Sequence, residues 1–287
     1  MSQTTITVLC ENTAAGPMGL LGEHGFAALV QTSDRTLLFD TGQSISLANN
    51  ARVLGIDLQS IDTVVLSHGH YDHTGGLPSV LYPPRGVEVI GHPDIFTSKY
   101  AELDGPQGTV RPFIGIKYRQ EYLEGTLAAR FTFIREMTEI RPGVFFSGEV
   151  PRMTDFEQGD SRLKVHKDGL LVEDPLLDDA SLLIETEAGP VILLGCAHAG
   201  VVNVMNHFAE QTGHTSFHAV IGGTHLGFMG GPGPQLNKAM DAFDHYGVDL
   251  IGVAHCTGQE AAAICHQRFG RRFAFASAGW SRTFQAE

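Results

Sequence analysis

Four side chains of metal-binding types lie within six residues, in the run Ser67-His68-Gly69-His70-Tyr71-Asp72-His73. An apolar segment, residues 62–66, precedes this run, as is typical of a strand that ends in a loop. His68 and His70 are two residues apart, so both imidazoles can point the same way from an extended backbone. Asp72 and His73 follow where the chain turns, and they can face a second ion. The spacing therefore predicts a site for one or two metal ions.

The ligand types of this cluster favour a hydrolytic site. The cluster mixes imidazoles with a carboxylate and contains no thiolate. Such a ligand set suits a hydrolytic site for zinc, iron or manganese better than it suits a closed structural zinc site. We expect one or two divalent ions, with zinc first and manganese or iron as alternatives. A solvated histidine-rich turn is the competing interpretation, because the chain has 14 histidines. The apolar segment directly before the cluster argues against it.

Two further histidines occur directly after apolar runs, where strands are expected to end. His198 follows the run 191–194 and precedes a predicted helix, whose first N–H groups could face an anionic ligand. His255 follows the run 250–254 and precedes another predicted helix. We expect both histidines to be metal ligands. The alternatives are a structural hydrogen bond for His198 and a helix-capping or packing role for His255.

Other candidates concern the substrate. His225 competes with His255 for one ligand position, so we expect it to bind substrate or act in catalysis. Arg152 could hold a phosphate or carboxylate with its planar guanidinium, although a surface ion pair is an equal alternative. The stretch 227–233 is rich in glycine and predicts a mobile rim loop. Weaker sequence contexts predict structural or exposed positions for three other histidines, His24, His92 and His166.

The composition limits the class of protein. The net charge is −13 without a basic stripe, which disfavours nucleic acid as a partner and leaves a small anionic substrate. No segment has the apolar length that spans a bilayer, and residues 1–10 lack a basic head and a long apolar run. Four cysteines without a CxxC pair predict reduced thiols. We expect a soluble cytoplasmic protein of unknown oligomeric state, with no membrane partner.

Short apolar runs alternate with amphipathic stretches, which predicts an α/β architecture in a single domain spanning 1–287. Strands are expected at 6–9, 27–31, 37–39, 63–66, 87–90, 181–186, 191–194, 219–221 and 250–254. Helices are expected at 46–54, 200–210, 235–246 and 258–269, and a glycine follows each one. The irregular segment around 100–167 predicts an inserted cap that shapes the substrate site.

The cluster His68, His70, Asp72 and His73 matches the HxHxDH signature of the metallo-β-lactamase superfamily in full. Within that superfamily, several segments resemble the dihydropterin-ribofuranosylaminobenzene-phosphate synthase-like metal-dependent hydrolases. These are Gly91-His92-Pro93, Ser147-Gly148-Glu149-Val150-Pro151-Arg152, Leu194-Gly195-Cys196-Ala197-His198-Ala199-Gly200, Gly222-Gly223-Thr224-His225-Leu226 and His255-Cys256-Thr257-Gly258. The resemblance implies an αββα sandwich, in which two facing mixed β-sheets have helices outside.

The resemblance also implies roles for individual residues. Asp40, at the end of the run Thr36-Leu37-Leu38-Phe39-Asp40, is expected to support the metal loop by hydrogen bonding from behind. His255 stands at the position of the superfamily's final ligand. Most members have an aspartate bridging two ions at the strand end where this chain has Gly195-Cys196-Ala197-His198, and the resemblance does not say which of these residues replaces it. We expect Cys196 to be a buried neighbour of the site, with a metal thiolate or a redox-sensitive thiol as the alternatives.

These observations predict a metal-dependent hydrolase that uses metal-activated water on a small anionic ester. A phosphoester is the leading substrate class. Asp72 is expected to orient the nucleophile. A thioester or lactone hydrolase and an iron-dependent oxygenase are alternatives with the same fold. A non-catalytic, metal-dependent ligand sensor is a third possibility, because the bridging aspartate is missing.

Overall fold

The computed structural model describes residues 3–16, 19–32, 35–167, 169–227, 231 and 233–286. Residues 228–230 and 232 of the glycine-rich stretch 227–233 therefore lie outside the described part. The strands are β1 (Thr4–Cys10), β2 (Ala27–Gln31), β3 (Thr36–Phe39), β4 (Thr63–Val65), β5 (Glu88–Gly91), β6 (Lys99–Ala101), β7 (Leu103–Gly105), β8 (Gly108–Val110), β9 (Arg130–Phe133), β10 (Thr138–Arg141), β11 (Val144–Phe146), β12 (Leu163–Lys167), β13 (Leu170–Glu173), β14 (Ser181–Thr186), β15 (Gly189–Leu194), β16 (Ala219–Gly223), β17 (Leu250–Ala254), β18 (Phe273–Phe275) and β19 (Ser281–Phe284).

The α-helices are α1 (Ser46–Val53), α2 (Tyr71–Thr74), α3 (Leu77–Leu81), α4 (Gln120–Gly125), α5 (Val201–Thr212), α6 (Gln235–His245) and α7 (Gln259–Phe269). Among the described residues, 3₁₀ turns occur at Leu58–Ser60, Pro93–Phe96, His255–Thr257 and Gly270–Arg272. The nine strands and four helices expected from the apolar runs are all present, with ends that move by at most two residues.

Two seven-stranded mixed sheets form the centre of the molecule. The first has the order β19-β1-β2-β3-β4-β5-β9 and the second the order β10-β11-β14-β15-β16-β17-β18. In the first sheet, β3, β4, β5 and β9 are parallel neighbours, and in the second, β15, β16, β17 and β18 are. The carboxyl ends of parallel neighbours lie at one edge of a sheet, which is where ligands bind in α/β folds.

Alternation of apolar side chains along the strands builds three core layers. In β15, Val191 and Leu193 pack between the two sheets, whereas Ile192 and Leu194 pack against the outer helices α5, α6 and α7. A third cluster fills the space between the first sheet and α1 and α3. The predicted αββα sandwich is therefore confirmed.

The irregular segment 100–167 is divided among several structures rather than forming one insertion. Its strands β9, β10 and β11 belong to the two main sheets. By contrast, β6, β12 and β13 form a separate three-stranded sheet, with the hairpin of β7 and β8 beside it in sequence. The substrate-shaping cap expected from this segment stays a prediction. None of the helices among the described residues has the length and hydropathy needed to cross a lipid bilayer.

Candidate metal centre

The predicted metal ligands converge from the carboxyl ends of strands in both sheets. His68 and His70 follow β4, His198 follows β15, and His255 follows β17. Gly195, directly after β15, allows the two sheets to approach closely at this point. A Cβ atom at Gly195 would collide with Ser67 Oγ and lie 3.2 Å from Asp40 Oδ2.

His68, His70 and His198 form one group of ligands. Their donor nitrogens all lie within 4.8 Å of one another. His68 Nε2 is 2.9 Å from His70 Nδ1, and the ring centroids of His198 lie 4.9 Å and 5.1 Å from those of His68 and His70. Burial lowers the pKa of His68 and His198 well below 6.5 and that of His70 to about 3. The three imidazoles are therefore neutral at neutral pH, which is the form that binds a metal.

Two nitrogens of this group lack hydrogen bonds. His70 Nε2 and His198 Nε2 are buried and have no partner among the residues that the structure describes. An unsatisfied buried polar atom costs about 1–3 kcal/mol, so it needs a specific reason. Coordination of a metal ion supplies that reason, because each nitrogen would donate its lone pair.

Asp72, His73 and His255 form a second group beside the first. Asp72 Oδ2 lies 3.3 Å from His255 Nε2 and 3.9 Å from His73 Nε2. His24, from the segment between β1 and β2, also reaches this carboxylate, at 3.1 Å from its Nε2. The structure therefore brings His24 into the site, contrary to the structural or exposed position expected from its sequence context. Cys196 completes the group, with its Sγ 3.2 Å from His73 Nε2.

Asp40 supports the metal loop from behind, as the resemblance implies. Its Oδ1 accepts a hydrogen bond from Ser67 N at 2.7 Å, and its Oδ2 accepts one from Ser67 Oγ at 2.7 Å. Oδ2 also lies 2.7 Å from His73 Nδ1. This contact leaves Nε2 as the nitrogen of His73 that faces Cys196. Burial alone would lower the pKa of His73, but Asp40 and Asp72 outweigh burial and raise it to about 9.

Residues far away in sequence fix the other ligands. Asn12 Oδ1 lies 2.9 Å from His255 Nδ1, and Glu11 accepts a hydrogen bond from His255 N at 2.7 Å. Asp178 accepts a hydrogen bond from the backbone N–H of Gly69, between the first two ligands, at 2.8 Å. Lys99 is buried and donates to Asp178 and to Asp174, each at 2.8 Å. No sequence pattern near the metal signature indicates these partners.

A second buried aspartate lies behind His198. Asp179 Oδ2 accepts a hydrogen bond from Ala199 N at 2.8 Å, whereas its Oδ1 has no partner among the described residues. Burial raises the pKa of Asp179 to about 6. The aspartate therefore holds the chain just after a ligand without contacting the ligand donor atom.

A cavity of about 290 Å³ opens onto the ligands. Residues at the strand ends line it, namely His70, Asp72, Cys196, His198, His225, His255 and Cys256, together with His24 and Tyr71. Apolar side chains from residues 101–114 and from β12 line the remainder, namely Ala101, Leu103, Pro112, Phe113, Ile114 and Leu163. Arg162 also reaches the cavity and is paired with Asp160 at 2.6 Å. The small sheet and the segments adjoining it thus contribute apolar surface to the cavity, and Arg162, directly before β12, contributes one guanidinium.

His225 lies beside His198, and its expected role in substrate binding stays a prediction. It lines the cavity, and its ring centroid is 4.5 Å from that of His198. It is also close enough to Cys196 and His198 to form a further donor group with them. His92 and His166 lie elsewhere: His92 Nε2 is 3.0 Å from Glu149 Oε1, and the ring of His166 packs against Tyr100.

Arg152 contacts backbone carbonyls rather than the cavity. Its guanidinium donates to Pro175 O at 2.9 Å and to His198 O at 3.1 Å. Arg152 is not among the residues that line the cavity, so the structure shows it fixing the backbone at His198. The substrate contact expected of it stays a prediction.

The start of helix α5 also differs from expectation. Glu157 accepts hydrogen bonds from Val202 N and Asn203 N, each at 2.8 Å. These N–H groups are therefore not available to an anionic substrate, which was their predicted role. Glu157 lies 45 residues from Val202 in sequence, so no local pattern indicates this contact.

The chain resembles known proteins over nearly its whole length. The family model of the metallo-beta-lactamase superfamily matches residues 21–244. The chain belongs to the metallo-beta-lactamase superfamily. A superfamily relative, an uncharacterized protein of Methanocaldococcus jannaschii, is 34% identical over 259 residues, which cover 89% of this chain and 91% of the relative.

Two more similar proteins have names that state an activity. The 7,8-dihydropterin-6-methyl-4-(beta-D-ribofuranosyl)-aminobenzene-5'-phosphate synthase of the same organism is 29% identical over 96% of this chain and 94% of its own length. A crystal structure of a metal-dependent hydrolase of the beta-lactamase superfamily is 30% identical, with a TM-score of 0.80 over 97% of this chain and 98% of that one. The resemblance stated from sequence is confirmed for both the superfamily and this group.

The donor set fits the divalent metal ions that the metallo-beta-lactamase fold implies. Neutral imidazoles, a buried carboxylate and orphaned ring nitrogens converge at one cavity. Asp40 Oδ2 and Asn12 Oδ1 can accept hydrogen bonds from Nδ1 of His73 and of His255, and such contacts on the far ring nitrogen are the usual supports of metal-binding histidines.

Proposed function

We propose that the protein is a metal-dependent hydrolase with a binuclear zinc site, and that its substrate is a small anionic ester of the phosphoester class. His68, His70 and His198 would hold one ion, and Asp72, His73 and His255 would hold the other. Manganese or iron would be the alternatives to zinc. The observation that carries the proposal is that two adjacent sets of donor atoms meet, and that His70, Asp72, His198 and His255 from these sets line a single cavity.

Divalent ions, when bound, lower the pKa of a coordinated water and polarise an ester oxygen, so the chain needs no serine or cysteine nucleophile. Asp72 would orient the attacking water, which is supported by its place in the cavity lining beside His24 and His255. His225 lines the same cavity and would donate a hydrogen bond to the substrate oxygen or to the leaving group.

The lining of the cavity describes the substrate further. Apolar side chains such as Leu103, Phe113 and Leu163 would contact an apolar or aromatic portion of the ester. Arg162 is the guanidinium that reaches the cavity, and it would contact the anionic group. The compound in the name of the synthase relative combines a ribofuranosyl 5'-phosphate with aromatic groups, which supports a phosphorylated substrate with an aromatic portion for this chain.

The surrounding surface supports a small substrate rather than a polymer. With a net charge of −13, the chain would repel a nucleic acid backbone, whereas a compact anion can reach locally positive metal ions. The proposal includes a cytoplasmic location without a membrane partner. The four cysteines, Cys10, Cys196, Cys256 and Cys265, are all free thiols, which agrees with a reducing compartment.

Hydrolysis of a carboxylic thioester or lactone is the second candidate function, and one observation favours it. The charge of Arg162 is already paired with Asp160 in the cavity, and most of the remaining lining from the small sheet is apolar. A neutral acyl substrate would leave this ion pair intact. The two candidates share the metal centre and differ in what Arg162 contacts.

A panel of chromogenic substrates tests the proposal. The protein, loaded separately with zinc and with manganese, would be assayed on phosphomonoesters, phosphodiesters, thioesters and lactones, with His198→Ala as the metal-site control. We expect turnover first on the phosphoesters and none with the variant. Turnover of thioesters or lactones alone would refute the phosphoester assignment and select the second candidate.

Two further outcomes would displace hydrolysis itself. Stoichiometric iron in protein purified without added metal, together with oxygen consumption, would assign oxygenase chemistry. Thermal stabilisation by ligands without turnover of any ester would assign a metal-dependent sensor. Both measurements use the same purified protein as the substrate panel.

A further inference from the structure

Two buried thiols meet at the edge of the second sheet, although they lie 60 residues apart in the chain. Cys196 follows β15, and Cys256 follows β17. Their sulfur atoms lie within 4.8 Å of each other. Cys256 Sγ also donates a hydrogen bond to the backbone oxygen of Cys196 at 3.5 Å, so this thiol is directed at its neighbour. The gap between the two sulfurs would have to close to about 2.05 Å to form a disulfide bond.

A glycine on the intervening strand makes room for this approach. Strand β16 lies between β15 and β17, and it ends at Gly223. A Cβ atom at Gly223 would lie 2.6 Å from Cys256 Sγ and 3.4 Å from Cys196 Cα. A side chain at this position would therefore press against the thiols. Because Gly223 has none, cysteines that follow two non-adjacent strands can meet.

The cavity gives a small reagent access to these two thiols. Cys196 and Cys256 both line the cavity of about 290 Å³ that opens onto the ligands. Cys10 and Cys265 are buried as well, but they are not among the residues that line this cavity. A small oxidant that enters the cavity therefore reaches one pair of thiols and not the other two.

We propose that Cys196 and Cys256 are a reversible redox pair, which hydrogen peroxide oxidises to a disulfide that weakens metal binding. The oxygen–oxygen bond of the peroxide breaks as one thiol becomes a sulfenic acid and a first water leaves. The second sulfur then bonds to the oxidised sulfur, and the sulfenic oxygen leaves as a second water with the proton of the second thiol. The two thiols thus lose two electrons and two protons, and the peroxide is reduced to two waters. Reduced glutathione reverses the reaction by thiol–disulfide exchange.

The disulfide would disturb the metal centre, because each sulfur is adjacent to an expected ligand. Cys256 directly follows His255 in the chain, and Cys196 Sγ lies 3.2 Å from His73 Nε2. Joining the sulfurs would move both thiols from these places. We therefore expect oxidation to lower the affinity for zinc at least about tenfold, the size of effect that residues around a metal ligand typically have. The redox pair stands whether or not the protein hydrolyses an ester.

Peptide mapping of the zinc-loaded wild-type protein tests the pairing without any variant. The folded protein would be treated with hydrogen peroxide, blocked with iodoacetamide and cut after lysine, arginine and glutamate. Cleavage at Glu260 separates Cys256 from Cys265, so each possible disulfide gives a distinct mass. We expect one cross-link, between Cys196 and Cys256, with the other two cysteines blocked by iodoacetamide. A cross-link to another cysteine, oxidation to sulfinic acid without a cross-link, or two thiols that stay reduced would overturn the proposal.

Competition with a chromogenic chelator measures the effect on the metal. Zinc affinity would be determined before treatment with peroxide, after treatment, and again after addition of reduced glutathione. We expect the affinity to fall at least about tenfold and to recover with glutathione, both in the wild type and in the matched control Cys265→Ser. An unchanged affinity in cross-linked protein, a fall that glutathione does not reverse, or a fall that is absent from Cys265→Ser would refute the redox pair as a control on metal binding.

Discussion

Asp40 Oδ2 lies 2.7 Å from His73 Nδ1, and both side chains are fully buried. The same carboxylate binds Ser67 directly before the first ligand, so one residue orients both ends of the metal-binding run. We expect Asp40→Asn to lower metal affinity by about tenfold to a hundredfold, because such supporting partners typically contribute this much. Competition with a chromogenic chelator would measure it. Asp155→Asn, on an exposed side chain, is the control and should bind metal like the wild type. Equal affinities for Asp40→Asn and the wild type would contradict the supporting role.

The metal ligands themselves should be separable from the fold. We expect His70→Ala, Asp72→Ala and His198→Ala each to lose at least one equivalent of metal and all detectable turnover, while the circular dichroism spectrum is unchanged. The reason is that the ligands lie beyond the ends of strands whose apolar cores do not include them. Metal analysis by mass spectrometry checks the prediction, with His166→Ala as the matched histidine control. Variants that retain full metal and turnover would show that the site is elsewhere.

Metal binding should depend on pH through His73. Because the pKa of this imidazole is raised to about 9 in the metal-free protein, a metal ion must displace a proton at neutral pH. The apparent affinity is therefore expected to rise with pH, by at most about tenfold per unit, and to level off above pH 9. Calorimetric titration in buffers of different ionisation enthalpy would count the released protons. An affinity for the second ion that does not change between pH 6 and pH 9 is the contrary result.

The buried ion group at Lys99 should stabilise the fold in a pH-dependent way. Burial alone would lower the pKa of Lys99, but Asp178 and Asp174 outweigh it and raise the pKa above its usual 10.5. The resulting stabilisation is fully present below pH 10.5 and is lost as the pH rises through the raised value. We expect Lys99→Met to lower the free energy of unfolding by about 3–5 kcal/mol at pH 8, since two buried carboxylates lose their partner.

Urea unfolding at pH 8 and at pH 11 would measure this effect, with Lys238→Met on an exposed side chain as the control. The difference between the wild type and Lys99→Met should be smaller at pH 11. The same variant should also weaken metal binding, because Asp178 holds the backbone of Gly69 between two ligands. A difference that is the same at both pH values would argue against a charged Lys99.

The two arginines near the site should have different effects. Arg162 lines the cavity, so Arg162→Ala is expected to raise KM for an anionic ester about tenfold with little change in kcat, as for the loss of uniform binding. Arg152 instead donates to the carbonyl of His198, so Arg152→Ala should lower metal content. Steady-state kinetics at saturating zinc separates the two. A KM effect confined to Arg152→Ala would restore the substrate contact expected from the sequence.

The sequence was sufficient for the elements and ligands whose pattern is local. Apolar runs of strand length located β4, β15 and β17, and a histidine after each one indicated the edge where ligands meet. Partners that depend on tertiary contact were not predictable. Glu157 caps a helix 45 residues away, and Asn12 contacts His255 across 243 residues. Cys256 could have been noticed, since it directly follows a predicted ligand.

The segment 100–167 shows a second limit of prediction from sequence, which concerns short strands. Its prolines and glycines correctly indicate interrupted structure, yet β9, β10 and β11 are short edge or near-edge strands of the main sheets. Strands of three or four residues have too few positions to display a period, so composition alone could not assign them. Their pairing with longer strands decides their place in the fold.

The lining of the cavity has two separate origins in the chain. The metal ligands follow strands of the two main sheets, whereas Leu103, Phe113 and Leu163 come from the small sheet and its adjoining segments. Substitutions in the second group can change the shape offered to a substrate without moving the ligands or the core strands behind them. Such an arrangement lets chains that share this fold acquire different ligands through a few replacements, while the cluster of histidines and the folding of the sandwich are inherited intact.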